Sequence, residues 1–279
     1  MRYTVILTAA LAIAACEPKT GNVESGVENT AEATQPAEST MNTRTKQASM
    51  LLETALSGTY GYDITESLTT EVGQRMAGTE AEARARDWAV AKFKALGLEN
   101  VRVEPFTIPG WERGEESAVI VAPYPQKLEI TTLGYSVATP SKGIEAEVVY
   151  FSELDALKAT TEDLTGKIAF IDGRMNKFPD GAGYGPAGMK RRIGASEAAK
   201  HGAVAVLIRS VGTDSHRFPH TGGMRYAPDF PKIPIAAMSS PDADQMERIF
   251  KRGEKVIVKM NLSPISTGQR PSGLSLIHI

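Results

Sequence analysis

Cysteine is almost missing from this 279-residue chain: Cys16 is the only one. That excludes a disulfide framework and any thiolate metal site built from several cysteines. Charge of one sign is missing too. The formal net charge is -2 and the sequence pI about 6.2, with no basic run interleaved with aromatics. Nothing therefore points to nucleic acid. No apolar run approaches the roughly 20 residues a membrane-spanning helix needs. There is no repeat of fixed period, no Gly-x-Ser-x-Gly elbow and no phosphate-binding Gly-x-x-x-x-Gly-Lys-Ser/Thr. What remains, 42% hydrophobic and 23% charged residues, is ordinary globular composition.

The one cysteine has an informative place. Arg2 precedes a short apolar run, Val5 to Ala15, and Ile13-Ala14-Ala15 puts small residues directly before Cys16. This is the layout of a secretory signal whose cleavage would leave cysteine at the new N-terminus. It resembles a bacterial lipobox, so 1–15 is expected to be a lipoprotein signal peptide and Cys16 the lipid attachment site. Residues 16–48 are rich in Glu, Thr, Ser, Ala, Asn and Pro without hydrophobic periodicity. They are expected to form a disordered tether. The implied location is the bacterial cell envelope, lipid-anchored on the periplasmic face of a membrane, or outside the cell.

Helical signals begin near Ser49. Met50 to Leu56 suggests a short helix, and Asp63 to Val72 a second one that Gly73 would stop. Thr79 and Glu82 form a capping box ahead of Ala85, Trp88, Ala89, Phe93 and Leu96 at helical spacing, with Gly97 as a left-handed cap. From Val101 the period changes to that of strands. Val101–Ile108, Ser117–Val121, Lys127–Thr132, Glu145–Phe151 and Lys167–Asp172 read as extended. Ile193–His201 reads as a helix between that last strand and the strand Ala203–Arg209, which implies a right-handed crossover. The strand Ile233–Met238, the helix Pro241–Phe250 and the strand Val256–Leu262 follow. The fold class is therefore α/β (α+β). A helical part, 49–112, precedes a β-rich part, 113–265, containing one βαβ crossover.

Chemistry-bearing residues are sparse. Thr213 to His220 holds Asp214 and two of the four histidines, His216 and His220. Zinc accepts such donors, but Pro219 and Gly222-Gly223 place the stretch in a loop rather than on a helix face. The bland reading is a hydrogen-bonded loop. The sharper one is a substrate or interface loop using Asp214, His216, His220 and Arg225. Glu115-Glu116 resembles the carboxylate pair of some metallopeptidases, yet reads as a solvated turn at a strand entry. Gly181 to Pro186 reads as a surface loop. No catalytic or metal-ligating residue can be assigned from these patterns alone.

Three stretches carry a resemblance. Leu68 to Glu82, Val101 to Trp111 and Ile208 to Tyr226 are similar to the carboxypeptidase Q-like metallopeptidases of the aminopeptidase Y-type di-zinc family. The resemblance covers about 49–270. It implies that 49–112 is the start of a zinc exopeptidase domain and that 113–265 is an inserted protease-associated (PA) domain. It also implies a peptide substrate and two zinc ions in the intact relative. The family's zinc ligands follow the PA insertion, and no His-x-Asp occurs here, so no ligand carries over. Residues 266–279 are expected to be a truncated or foreign tail, and this chain is expected to bind no zinc by itself. The alternative is a non-enzymatic PA-like lipoprotein that binds peptides or proteins.

Overall fold

The computed structural model describes residues 37–278; Cys16, the signal segment and the first part of the expected tether lie outside them. The chain divides into two units, one ending at Tyr62 and one beginning at Asp63. In the first, α1 (Ala37–Ser57) is exposed from Asn42 onward. It starts well before Ser49, so the last residues of the expected tether are helical. Ala, Glu, Met, Arg, Lys and Gln, all good helix formers, extend the run without an apolar stripe to advertise it. No described helix is long and apolar enough to cross a membrane.

Helix α2 (Tyr60–Ser67) leads into the second unit and a single π-helical turn, Leu68–Val72, which Gly73 closes at φ +73°. Helix α3 (Glu80–Ala95) has the expected ends. Thr79 Oγ1 accepts the Glu82 N–H at 3.3 Å, while the Glu82 carboxylate accepts the Gly78 N–H at 3.3 Å. At the other end Gly97 is left-handed, and Leu98 N–H returns to Phe93 O at 3.1 Å. No residue of α3 is fully buried. It lies against a two-stranded antiparallel ribbon, β1 (Glu99–Glu112) with the strand Ile265–His278.

The stretch expected to be a truncated or foreign tail, 266–279, is in strand conformation through His278. The last strand runs beside β1 from Ile265↔Glu112 to His278↔Glu99. Its partner explains why: β1 would otherwise leave a long row of backbone donors and acceptors unpaired.

The rest is an eight-stranded mixed sheet. Its elements are β2 (Glu116–Ala122), β3 (Gln126–Leu128), β4 (Ile130–Thr132), β5 (Ile144–Phe151), α4 (Leu154–Ala159), β6 (Ile168–Ile171), α5 (Tyr184–Lys200), β7 (Ala205–Arg209), β8 (Ile235–Met238), α6 (Ser240–Lys251) and β9 (Val256–Leu262). The strand order is β3-β2-β9-β5-β6-β7-β8-β4. Strands β5 to β8 are successively parallel, so three parallel connections stand where the sequence suggests one crossover. The expected single strand Lys127–Thr132 is two strands on opposite edges. Glu129 breaks it: its N–H goes to Asp242 Oδ2 at 2.7 Å and its carbonyl accepts Ser239 N–H at 2.9 Å.

Alternation splits the core cleanly. Ile168, Phe170, Leu207, Ala236 and Met238 face α6 through Ala243, Met246 and Ile249. Ala169, Ile171, Val206, Ile208, Ile235 and Ala237 face α4 and α5 through Leu157, Ala195 and Ala198. Strands covered on both faces need continuous apolar runs, as Ile168 to Ile171 supplies. Helix α5 starts at Tyr184 rather than Ile193, so the Gly-rich stretch is a helix entry. Gly183 is needed there because a Cβ would stand 2.0 Å from Asn176 O. Pro186 fits in the first turn, where its missing N–H costs nothing.

Candidate functional site

The candidate site grows from the long connection between β7 and β8, which leaves the carboxyl end of a central parallel strand. Ser210 secures its start: its hydroxyl donates to Met238 O at 2.8 Å and accepts the His220 N–H at 2.8 Å. Arg217 reaches Asp242 Oδ1 at 2.8 Å and Lys127 O at 2.9 Å. Thr221 donates to Thr132 O at 2.9 Å, and Gly134 N–H to Gly222 O at 2.9 Å. The loop is thus an ordered strap across the β4 edge.

Within it the structure brings Asp214, His216 and His220 together. His220 Nε2 lies 2.9 Å from Asp214 Oδ2, and His216 Nδ1 lies 3.7 Å from Oδ1. Desolvation pushes the Asp214 carboxyl upward, but the His216 backbone N–H and the His220 ring outweigh it and hold it below the ordinary carboxylate value. His216 is 83% exposed. Arg225 stands apart from this trio. Its backbone N–H bonds Arg192 O at 3.2 Å, and the residue lines a separate cavity of about 610 Å³ with Trp111, Tyr135, Tyr226 and Lys232.

Glu115 and Glu116 have structural partners. Glu116 Oε2 accepts both the N–H and the hydroxyl of Thr132 at 2.7 Å, joining β2 to β4. Glu115 pairs with Ser263 through its backbone.

Sequence reasoning missed a buried ionic cluster at the carboxyl ends of β6 and β7. Arg209, 3% exposed, donates from Nε to Asp172 Oδ1 and from Nη1 to Asp244 Oδ1, each at 2.7 Å. Tyr150 donates to Asp172 Oδ2 at 3.0 Å, and burial beside that carboxylate raises its phenol above the ordinary value. Lys190 is also 3% exposed and donates to Gly173 O. Burial, reinforced by Arg209, Arg191 and Arg174 against the pull of Asp172, drops its amine to about 7. The available signal was Asp172 and Arg209, each ending an apolar strand. Lys190 stands beside Arg191 and Arg192, with no local pattern to mark its burial.

No protein-family model matches the chain. Carboxypeptidase Q of Bos taurus is 40% identical over 201 residues, covering 72% of this chain and 41% of the bovine protein. A peptidase M28 precursor from Shewanella amazonensis SB2B superposes with a TM-score of 0.81 at 44% identity, over 82% of this chain and 52% of that one. The chain belongs to the carboxypeptidase Q-like metallopeptidase family. A zinc aminopeptidase from Bacillus subtilis shares its fold, with a TM-score of 0.51 at 19% identity, over 77% of this chain and 45% of that one.

The chain spans less than half the length of the bovine carboxypeptidase Q it matches. Zinc is the metal such relatives imply, so the donor set matters. Among the described residues, no three His, Cys, Asp or Glu side chains are grouped to hold one ion. The Asp214 trio does not fit a pair of zinc ions: it offers one carboxylate, with the His220 ring already within hydrogen-bond distance of it.

Proposed function

We propose that these residues form the N-terminal part of a lipid-anchored, zinc-dependent exopeptidase that hydrolyses terminal bonds of short peptides. The observation that carries this is the 40% identity to carboxypeptidase Q over 201 residues, 72% of the chain. In this reading 113–265 is the PA unit flanking the catalytic domain. When bound, zinc supplies a hydroxide nucleophile at neutral pH. Its ligands are not drawn from Asp214, His216 or His220. The strap bearing those residues instead faces substrate or the neighbouring domain, and Cys16 carries the lipid.

The test is a chimera in which this chain replaces the matching part of the Shewanella relative. The zinc-loaded chimera is expected to hydrolyse dipeptides. A folded chimera without turnover, beside an active parent, would overturn the reading. For the anchor, Cys16→Ser is expected to move the protein from the membrane fraction to the soluble fraction; unchanged fractionation would refute it.

A further inference from the structure

Residues that follow β5 and β6, Glu153 and Gly173 among them, line a cavity of about 370 Å³ together with α4 and α5. Lys190 is part of its wall, although only 3% exposed. Its Nζ donates to the Gly173 carbonyl. Asp172, the acid that favours its charge, is already engaged by Arg209 Nε at 2.7 Å and by the Tyr150 hydroxyl at 3.0 Å. The result is a buried primary amine at a cavity, without a carboxylate of its own.

Positive charge is in surplus around it. Arg209 spends Nε on Asp172 and Nη1 on Asp244, yet its Nη2 is buried without a hydrogen-bond partner among the described residues. Arg191, 7% exposed, has its Nε in the same condition. Buried donors are nearly always paired, so two orphans beside one amine ask for an acceptor. Arg174 is taken by Asp244 at 2.7 Å and Glu247 at 2.8 Å. On the α4 side Lys158 is taken by Asp155 at 2.9 Å, and Glu153 is exposed. Burial first, then Arg209, Arg191 and Arg174, disfavour a proton on Lys190. A field that rejects a cation at this nitrogen favours an anion there.

We propose that Lys190 is a carbamylation site: its amine adds to carbon dioxide, and the carbamate anion that forms is held among Arg209, Arg191 and Arg174. The nitrogen lone pair forms the N–C bond, one C=O π pair moves onto oxygen, and the proton that leaves nitrogen passes to solvent. One carbon dioxide is taken up and one proton released. An amine this buried excludes bulky electrophiles, whereas carbon dioxide is linear, uncharged and three atoms long. Lys190 and Arg209 already bond adjacent carbonyls, Nζ that of Gly173 and Nε that of Asp172 at 3.1 Å, so the new oxygens form beside the guanidinium. Charge-assisted bonds of that kind are the strong ones. The step needs neither peptide nor zinc, so it stands apart from the exopeptidase reading.

The test equilibrates the full chain with ¹³C-bicarbonate at about pH 8, above the point where Lys190 loses its proton. Carbon-13 NMR follows the carbamate carbonyl, and triethyloxonium trapping with peptide mass spectrometry locates it. The trapped label is expected on Lys190 at least about tenfold above any other lysine, because an ordinary lysine stays protonated there. At constant dissolved carbon dioxide, a shift to about pH 6 is expected to cut the Lys190 label at least tenfold. Saturating bicarbonate is expected to raise the wild-type Tm by about 2–4 °C, and Lys190→Met to lose both the carbamate signal and that rise. Label spread evenly over the lysines, no carbamate on Lys190, or a Tm rise that persists in Lys190→Met would each overturn the proposal.

Discussion

Lys190 offers a sharp quantitative test. Its amine falls from an ordinary 10.5 to about 7 because burial penalises the charged form. That difference corresponds to roughly 5 kcal/mol between the protonated and neutral states of the folded protein, relative to the unfolded chain. The direction is set by proton binding. Between about pH 7 and 10.5 the unfolded chain holds a proton on Lys190 that the folded chain does not. Stability therefore rises with pH through this window, and below pH 7 the folded state bears the full desolvation cost. From pH 7, where the folded-state amine is half-protonated, to pH 9 the gain integrates to about 2 kcal/mol. Lys190→Met keeps the unbranched stem and removes the titration. It also strands the Gly173 carbonyl that Lys190 caps, a cost independent of pH that cancels when one protein is compared with itself at two pH values. Urea unfolding at pH 7 and pH 9 gives the four free energies needed. Wild type should gain about 2 kcal/mol more than the variant across that interval. Equal gains would show that Lys190 is not the group that titrates there.

Three further outcomes follow from the packing. Arg209→Leu leaves Asp172 buried with Tyr150 as its remaining side-chain partner, and should cost about 3–5 kcal/mol by urea unfolding; a loss under about 1 kcal/mol would mean water reaches the cluster. Phe170 is fully buried between the sheet and α6, so Phe170→Ala should cost about 3–5 kcal/mol; a near-neutral result would place it outside the core. Thr79→Ala removes the α3 cap and should cost about 1 kcal/mol, with faster amide exchange at Glu82; unchanged exchange there would refute the cap.

Legibility in the sequence followed the physics of each element. Strands β6, β7 and β8 were readable because burial on both faces forces uninterrupted apolar runs. Helix α3 was readable because Thr79, Glu82 and Gly97 write both its ends. The first half of α5 was not: its buried residues include Lys190 and Arg191, so no apolar stripe marks it. The division of β3 from β4 was hidden because Glu129 looks like any polar strand residue until Asp242 and Ser239 are beside it. The pairing of the last strand with β1 depends on a neighbour far away in sequence. At the candidate site, the Asp214–His220 pair could be suspected from spacing, and Arg225 from its place in the same loop. Tyr135, left-handed at φ +71°, could not, since an aromatic residue carries no local signal for a conformation imposed by Trp111, Gly222 and Tyr226.

The proposal that these residues are part of a zinc exopeptidase whose metal pair they do not themselves hold has a direct test. Isothermal titration of the whole chain with zinc, alongside a dipeptide hydrolysis assay, tests it most directly. The account predicts no tightly held pair of zinc ions and no turnover. Two zinc ions bound tightly, with peptide hydrolysis that depends on them, would contradict it.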